Sequence, residues 1–234
     1  MSQDRQKMQP LVAWQALRRL INDPEATHEV FTVIRALSGP SLKQGYQRFA
    51  ATPFGQKVFR ERIDLLDTLQ DRDYLAAQPH QSLAQHYLHF VRSENLSADG
   101  LVEASDDETL QMDEDMTRFS ARQRDMHDLW HTLTEYGRDE LGEACLLAFT
   151  YAQTRNRGLG VICLAGCLQL SKHYGKGVFS AAWRAYKDGK RAAWLPGQNW
   201  EYLLTQPINE VRNCLGIQPP ERYVDLRNMV AAPA

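Results

Sequence analysis

Apolar residues in this chain return every three or four positions along most of its length, and they almost never alternate. Val12, Ala13, Leu17, Leu20 and Ile21 fall on one helical face. Val30, Phe31, Ile34 and Leu37 make the next stripe. A half-buried strand needs a period of two, so this pattern leaves helices as the building material and predicts an all-α fold. The punctuation agrees. Asn22-Asp23-Pro24 closes one helix and opens the next, with Pro24 suited to a first helical turn, and Gly39-Pro40 stops the second. Further helices are expected over 53–66 and 82–96. Proline-rich breaks return only in WLPGQNW, TQPINEV and IQPPERY near the end. No internal repeat or low-complexity linker divides the chain, so one helical bundle over residues 1–234 is expected.

The rest of the composition excludes more than it assigns. A formal net charge of -2 provides no global basic field, so nucleic acid is not an expected partner. The longest apolar run, GVICLAGCL, is far short of the roughly 20 residues that cross a bilayer. The opening MSQDRQKMQPLVAW has neither an apolar signal core nor the composition of an organelle transit peptide. Cys145, Cys163, Cys167 and Cys214 fit no zinc-ribbon or redox spacing and read as core thiols. The acidic tract holding Asp106, Asp107, Glu108, Asp113, Glu114 and Asp115 lacks the ligand order of a calcium loop and reads as a solvated loop or helix start.

Chemistry concentrates in RDMHDLWHTLTEYGRDELGE. His127 and His131 are four apart, so on a helix both rings reach one cation. Asp128 sits about 100° around that helix, where it either joins the ligands or hydrogen-bonds a ligating imidazole. Along one straight helix Glu143 would stand roughly 18 Å from His131, too far to share an ion. The sequence breaks the helix instead. Gly137 suits the position after a helix end and Asp139 suits an N-cap, so a return helix DELGEACLLAFTYAQ forms a hairpin that brings Glu143 back. Two nitrogens and two carboxylates suit zinc, manganese or iron. Spacing alone leaves an ordinary helix bearing two histidines open. HDxxH also lacks the glutamate of the HExxH zinc hydrolases.

The pattern His127-Asp128-x-x-His131-x11-Glu143 resembles the HDxxHx11E signature of the Coq4 family of ubiquinone-biosynthesis proteins. LRRLINDPEATHEVF, RFAATPFGQKVFRER and NWEYLLTQPINEVRNCLGI are similar to the family as well, so the likeness runs from about residue 11 to 220. The resemblance implies an all-helical protein, bound peripherally to a membrane, that acts on the polyprenylated ring precursor of the quinone beside other ubiquinone-biosynthesis proteins. It implies a divalent metal, zinc above all, held by His127, Asp128, His131 and Glu143. It further implies either oxidative decarboxylation at ring carbon C1, a hydroxyl replacing a carboxyl, or a non-catalytic lipid-binding scaffold that organises the biosynthetic complex. A homodimer is left open, and no catalytic residue is assigned. The sequence departs from the family's glycine-bearing PxGSLG turn with Pro79-His80-Gln81-Ser82-Leu83-Ala84. With no transit peptide read at its start, a bacterial protein at the cytoplasmic face of the inner membrane is expected.

Ala144, Leu147, Ala148 and Tyr151 share a face or its edge with Glu143, and we expect them to line a groove for the prenyl tail. His80, His86 and His89 form a second cluster without an acidic partner, which reads as helix surface or packing. Arg155 and Arg157 suit either an acidic head group or the end of a helix, with Gly158 as a stop. The segment KHYGKGVFSAAWRAYKDGKRAAW suits a membrane surface, or else buries Trp183 and Tyr186 in the core.

Overall fold

The computed structural model describes residues 8–22, 26–94 and 113–231. All of their regular structure is helical apart from one isolated bridge between Ser82 and Pro207, so the all-α class is as expected. No helix among them is long and apolar enough to cross a membrane. These residues fall into two compact units, each built from separate stretches of chain.

The first unit comprises residues up to Leu42, Tyr136–Arg191 and everything from Pro219. It holds α1 (Pro10–Asn22), α2 (Thr27–Ser38), α10 (Glu140–Thr154), α11 (Arg157–Tyr174), α12 (Gly177–Arg191) and α15 (Glu221–Ala231). Ala16, Leu17, Val33 and Ile162 form a buried cluster, closed by Leu20, Ile34, Leu37 and Leu147. The apolar stripes of α1 and α2 are therefore spent on each other and on α11. The buried Glu29 carboxylate accepts from the Arg19 guanidinium, which ties the two helices at their polar edge and holds that carboxyl below its usual range. Cys145, Cys163 and Cys167 are buried free thiols, as expected, and only Cys214 is exposed.

The second unit comprises Lys43–Glu135 and Ala192–Gln218. It holds most of α3 (Ser41–Ala50), then α4 (Pro53–Glu61), α5 (Leu65–Gln70), α6 (Arg72–Ala76), α7 (Leu83–Ser93), α8 (Glu114–Asp125), α9 (His127–Thr134), α13 (Trp200–Leu203) and α14 (Ile208–Leu215). Phe49, fully buried, packs edge-on against Phe54 and Phe59 and tilted against Phe119. The Arg122 guanidinium, only 2% exposed, makes a two-pronged pair with Glu201 at 2.6 and 2.7 Å.

Local chemistry moved several expected boundaries. The helix expected over 53–66 stops at Glu61, because Arg62 turns left-handed and Asp64 caps a new helix. Ser82 caps α7, which ends at Ser93. Asp113 caps α8 and places Glu114 and Asp115 in its first turn, so these three mark a helix start. Asp106, Asp107, Glu108 and the Asp23-Pro24 break lie outside the described residues.

The turn that departs from PxGSLG is visible. Gln81 has φ +68°, the region that favours glycine, and it stands where the family pattern has glycine. Its carbonyl accepts from Ile208 N–H at 2.9 Å, while Leu83 N–H donates to Gln206 at 2.8 Å. These bonds hold the turn against the TQPINEV segment despite the strain. Gln81→Gly is expected to leave the protein as stable or up to about 1 kcal/mol more stable, whereas Gln81→Val should cost stability. Paired urea melts check both.

Candidate metal centre

The histidines sit on α9, a short helix set off from α8 by a single turn residue, Met126. Its apolar positions Leu129, Trp130 and Leu133 are buried, which fixes the roll of the helix and so the direction of both rings. His131 is 1% exposed and stacks on Phe90 of α7 with centroids 5.6 Å apart. His127 is half-buried and meets His131 edge-on at 4.7 Å. Its Nδ1 lies 3.0 Å from Asp128 Oδ1. A carboxylate on Nδ1 selects the tautomer that leaves Nε2 as the donor to a cation.

The far end of α9 is held from a distance. Arg212 of α14 donates from Nε to Leu133 O at 2.9 Å and from Nη2 to Thr132 O at 3.1 Å, and it pairs with Glu135 at 3.0 Å. A cation is thereby placed on the carbonyls of a helix C-terminus, where the macrodipole favours it. Arg212→Met should cost about 2 kcal/mol by removing charge-assisted hydrogen bonds. Urea melts of the two proteins measure it.

The helix end differs from expectation. Glu135, not Gly137, takes the left-handed C-cap position with φ +59°, and its N–H closes on His131 O at 2.9 Å. Gly137 has another task, close approach. A Cβ there would stand 2.5 Å from the Tyr223 hydroxyl and 2.8 Å from an Asp139 carboxylate oxygen. Asp139 caps α10 as expected, accepting from Gly142 N–H at 3.0 Å. Glu143 follows in the first turns of α10, half-buried, with Arg138 3.9 Å from its carboxylate.

His127, His131 and Glu143 make up a set of side chains able to hold a metal ion. Asp128 is outside that group, and its carboxylate lies on Nδ1 of His127. The donor set, two imidazoles and one carboxylate, fits zinc, manganese or iron.

Other expected residues took these places. Ala144 and Ala148 are buried within the first unit, Leu147 packs on its core cluster, and Tyr151 stacks on Tyr186 at 5.8 Å. Arg155 is the left-handed C-cap of α10 and Asn156 caps α11, so Gly158 stands in the first turn of a helix and stops none. His80 and His89 are exposed, and burial holds the half-buried His86 below the ordinary imidazole range. Trp183 is 59% exposed and stacks on Tyr186 at 5.3 Å, so the core reading of that tryptophan is corrected: it lies on the open face of α12.

Asp125, two residues before His127, went unread. Its carboxyl is buried beside Arg124, and burial pushes it up to about 6. The raised value means that the fold favours the protonated acid. That contribution is present below the unfolded value near 4 and is lost as pH rises through about 6. Asp125→Asn should flatten the pH profile of stability between those limits. The i, i+3 spacing to Asp128 was the available signal; Arg212 and Tyr223, some 80 residues away, gave none.

The Coq4 family model, described as "Coenzyme Q (ubiquinone) biosynthesis protein Coq4", matches residues 4–221. The chain is 30% identical over 183 residues to the mitochondrial ubiquinone biosynthesis protein COQ4 of Podospora anserina, covering 76% of this chain and 57% of that one. It is 28% identical over 204 residues to the mitochondrial COQ4 homolog of Rattus norvegicus, covering 84% and 74%. The chain spans just over half the length of the fungal relatives. A crystal structure from Nostoc punctiforme, described as a ubiquinone biosynthesis protein, superposes with TM-score 0.65 at 20% identity, covering 90% of this chain and 99% of that one; it shares the fold. The expected bacterial inner-membrane location is overturned, since these fungal and rat relatives are named mitochondrial. A compartment address is a separate signal that the helical fold does not encode.

Proposed function

We propose, for a chain that belongs to the Coq4 family of coenzyme Q (ubiquinone) biosynthesis proteins, that it binds a polyprenylated aromatic ring precursor at a divalent metal held by His127, His131 and Glu143. The observation that carries the reading is the convergence of these three side chains, two of them in the HDxxH pattern and the third at its expected spacing. Asp128 orients His127, and Phe90 and Arg212 hold His131 and its helix in place. When bound, a divalent cation there would polarise the carboxylate or phenolate oxygens of the ring and stabilise the electrons left on C1 when carbon dioxide departs.

The reaction we infer is replacement of the C1 carboxyl by hydroxyl. Its balance requires dioxygen and two electrons from a reductant: the ring carboxylic acid, O2, two protons and two electrons give the phenol, CO2 and water.

Contact with a membrane is part of the reading. Leu11, Trp14 and Ile21 on α1, with Leu164 and Leu168 on the packed α11, leave large apolar side chains in solvent within the first unit. A protein that draws a prenyl tail from a bilayer needs such a face. The test is turnover. Purified protein loaded with zinc, manganese or iron is given a carboxylated prenyl-phenol, oxygen and a chemical reductant, and carbon dioxide is measured. Release that disappears in His127→Ala supports the reaction. Tight binding of the prenyl-phenol without release with any of the three metals would assign the protein to the scaffold role instead.

A further inference from the structure

The link that delivers Glu143 is built more tightly than a helix start requires. A Cβ on Gly142 would stand 2.0 Å from Gly137 O, so two stretches of backbone touch there with no side chain between. Asp139 closes the loop with one carboxylate oxygen on Gly142 N–H and the other accepting from the Tyr223 hydroxyl. That hydroxyl also accepts from Gly137 N–H at 3.1 Å and from Arg227 Nη1 at 3.1 Å. Tyr223 belongs to α15, is 1% exposed and packs edge-on against Tyr136 at 5.7 Å. Its hydroxyl is thus a single buried atom holding both ends of the Gly137–Asp139 segment. Burial and the Asp139 carboxylate push the hydroxyl up to about 12, so it stays a donor throughout the working pH range.

A core tyrosine needs only its ring, and phenylalanine would fill the same space. Two of the three bonds on the hydroxyl serve the segment that leads directly into Glu143, whose N–H donates to Asp139 O at 2.9 Å. We propose that Tyr223 is a positioning residue for Glu143: through Gly137 and Asp139 it fixes where the carboxylate stands, and so tunes metal affinity without touching the ion. The residue lies beyond the stretch matched by the family model, which ends at residue 221. This inference rests on Glu143 being a ligand.

The test is a double-mutant cycle on the full chain, with zinc affinity read by competition against a chromogenic chelator and the fold of the metal-free protein by circular dichroism. Tyr223→Phe should weaken zinc binding about tenfold, the effect typical of losing a group that orients a ligand. In a Glu143→Gln background the same change should have almost no further effect. An unchanged affinity in Tyr223→Phe, or an equal loss in both backgrounds, overturns the proposal, because general loosening does not depend on residue 143. Should Glu143→Gln itself leave affinity unchanged, the ligand assignment fails and this inference fails with it. Asp139→Asn keeps a good cap and weakens only the bond to Tyr223, so it carries the same test if Tyr223→Phe does not fold.

Discussion

Gly142→Ala is expected to destabilise the protein by about 3 kcal/mol or more and to abolish tight zinc binding together. The added methyl would lie 2.0, 2.7 and 2.8 Å from the O, C and N of Gly137. Those are backbone atoms, fixed by the Tyr223 hydroxyl on one side and the cap of α10 on the other, so neither partner can swing away. Relief requires the start of α10 to move, and Glu143 moves with it. Gly166→Ala is the control, since a Cβ there meets nothing within 4 Å on the interior of α11. It should stabilise by about 0.5–1 kcal/mol, the ordinary gain of alanine over glycine in a helix. Urea melts of the three proteins, with zinc affinity measured beside them, separate a steric effect at residue 142 from any general effect of losing a glycine.

His131→Ala and His127→Ala should differ in a way that burial dictates. His131 is 1% exposed with its ring against Phe90, so its removal empties a packed site and should cost about 3 kcal/mol as well as zinc affinity. The His127 side chain is 37% exposed, and its loss should lower zinc affinity at least as far with little change in the melt. Each change removes one of the three ligands we propose, so a loss of about a hundredfold is expected from either. Equal affinity in the wild type and His127→Ala would remove that residue from the ligands.

The sequence was most legible where physics is local. The stripes Val12 to Ile21 and Val30 to Leu37 needed only a helical period, and Asp139, Asp113 and Ser82 announced helix starts by side-chain chemistry that acts within three residues. The pairing of His127 with His131 was local for the same reason. Glycine misled where it has two uses. Gly137 was read as a left-handed helix end, but Glu135 takes that conformation and Gly137 is small to admit the Tyr223 hydroxyl. The groups that stiffen the site, Arg212 on Thr132 and Leu133 and Tyr223 on Gly137 and Asp139, lie 79 to 86 residues from their partners. No period or spacing encodes such contacts. The role of Asp128 was undecided in sequence between ligand and orienting partner, and a 3.0 Å approach to Nδ1 of its neighbour favours the second.

The most direct measurement is the metal content of the purified full chain. Protein stripped with chelator, incubated with excess zinc and desalted should retain about one ion per chain by elemental analysis, and the His127→Ala and Glu143→Gln forms, still folded by circular dichroism, should retain well under half of that. No retained zinc, manganese or iron in the wild-type protein, or one ion per chain in both variants, would contradict a metal centre at His127, His131 and Glu143.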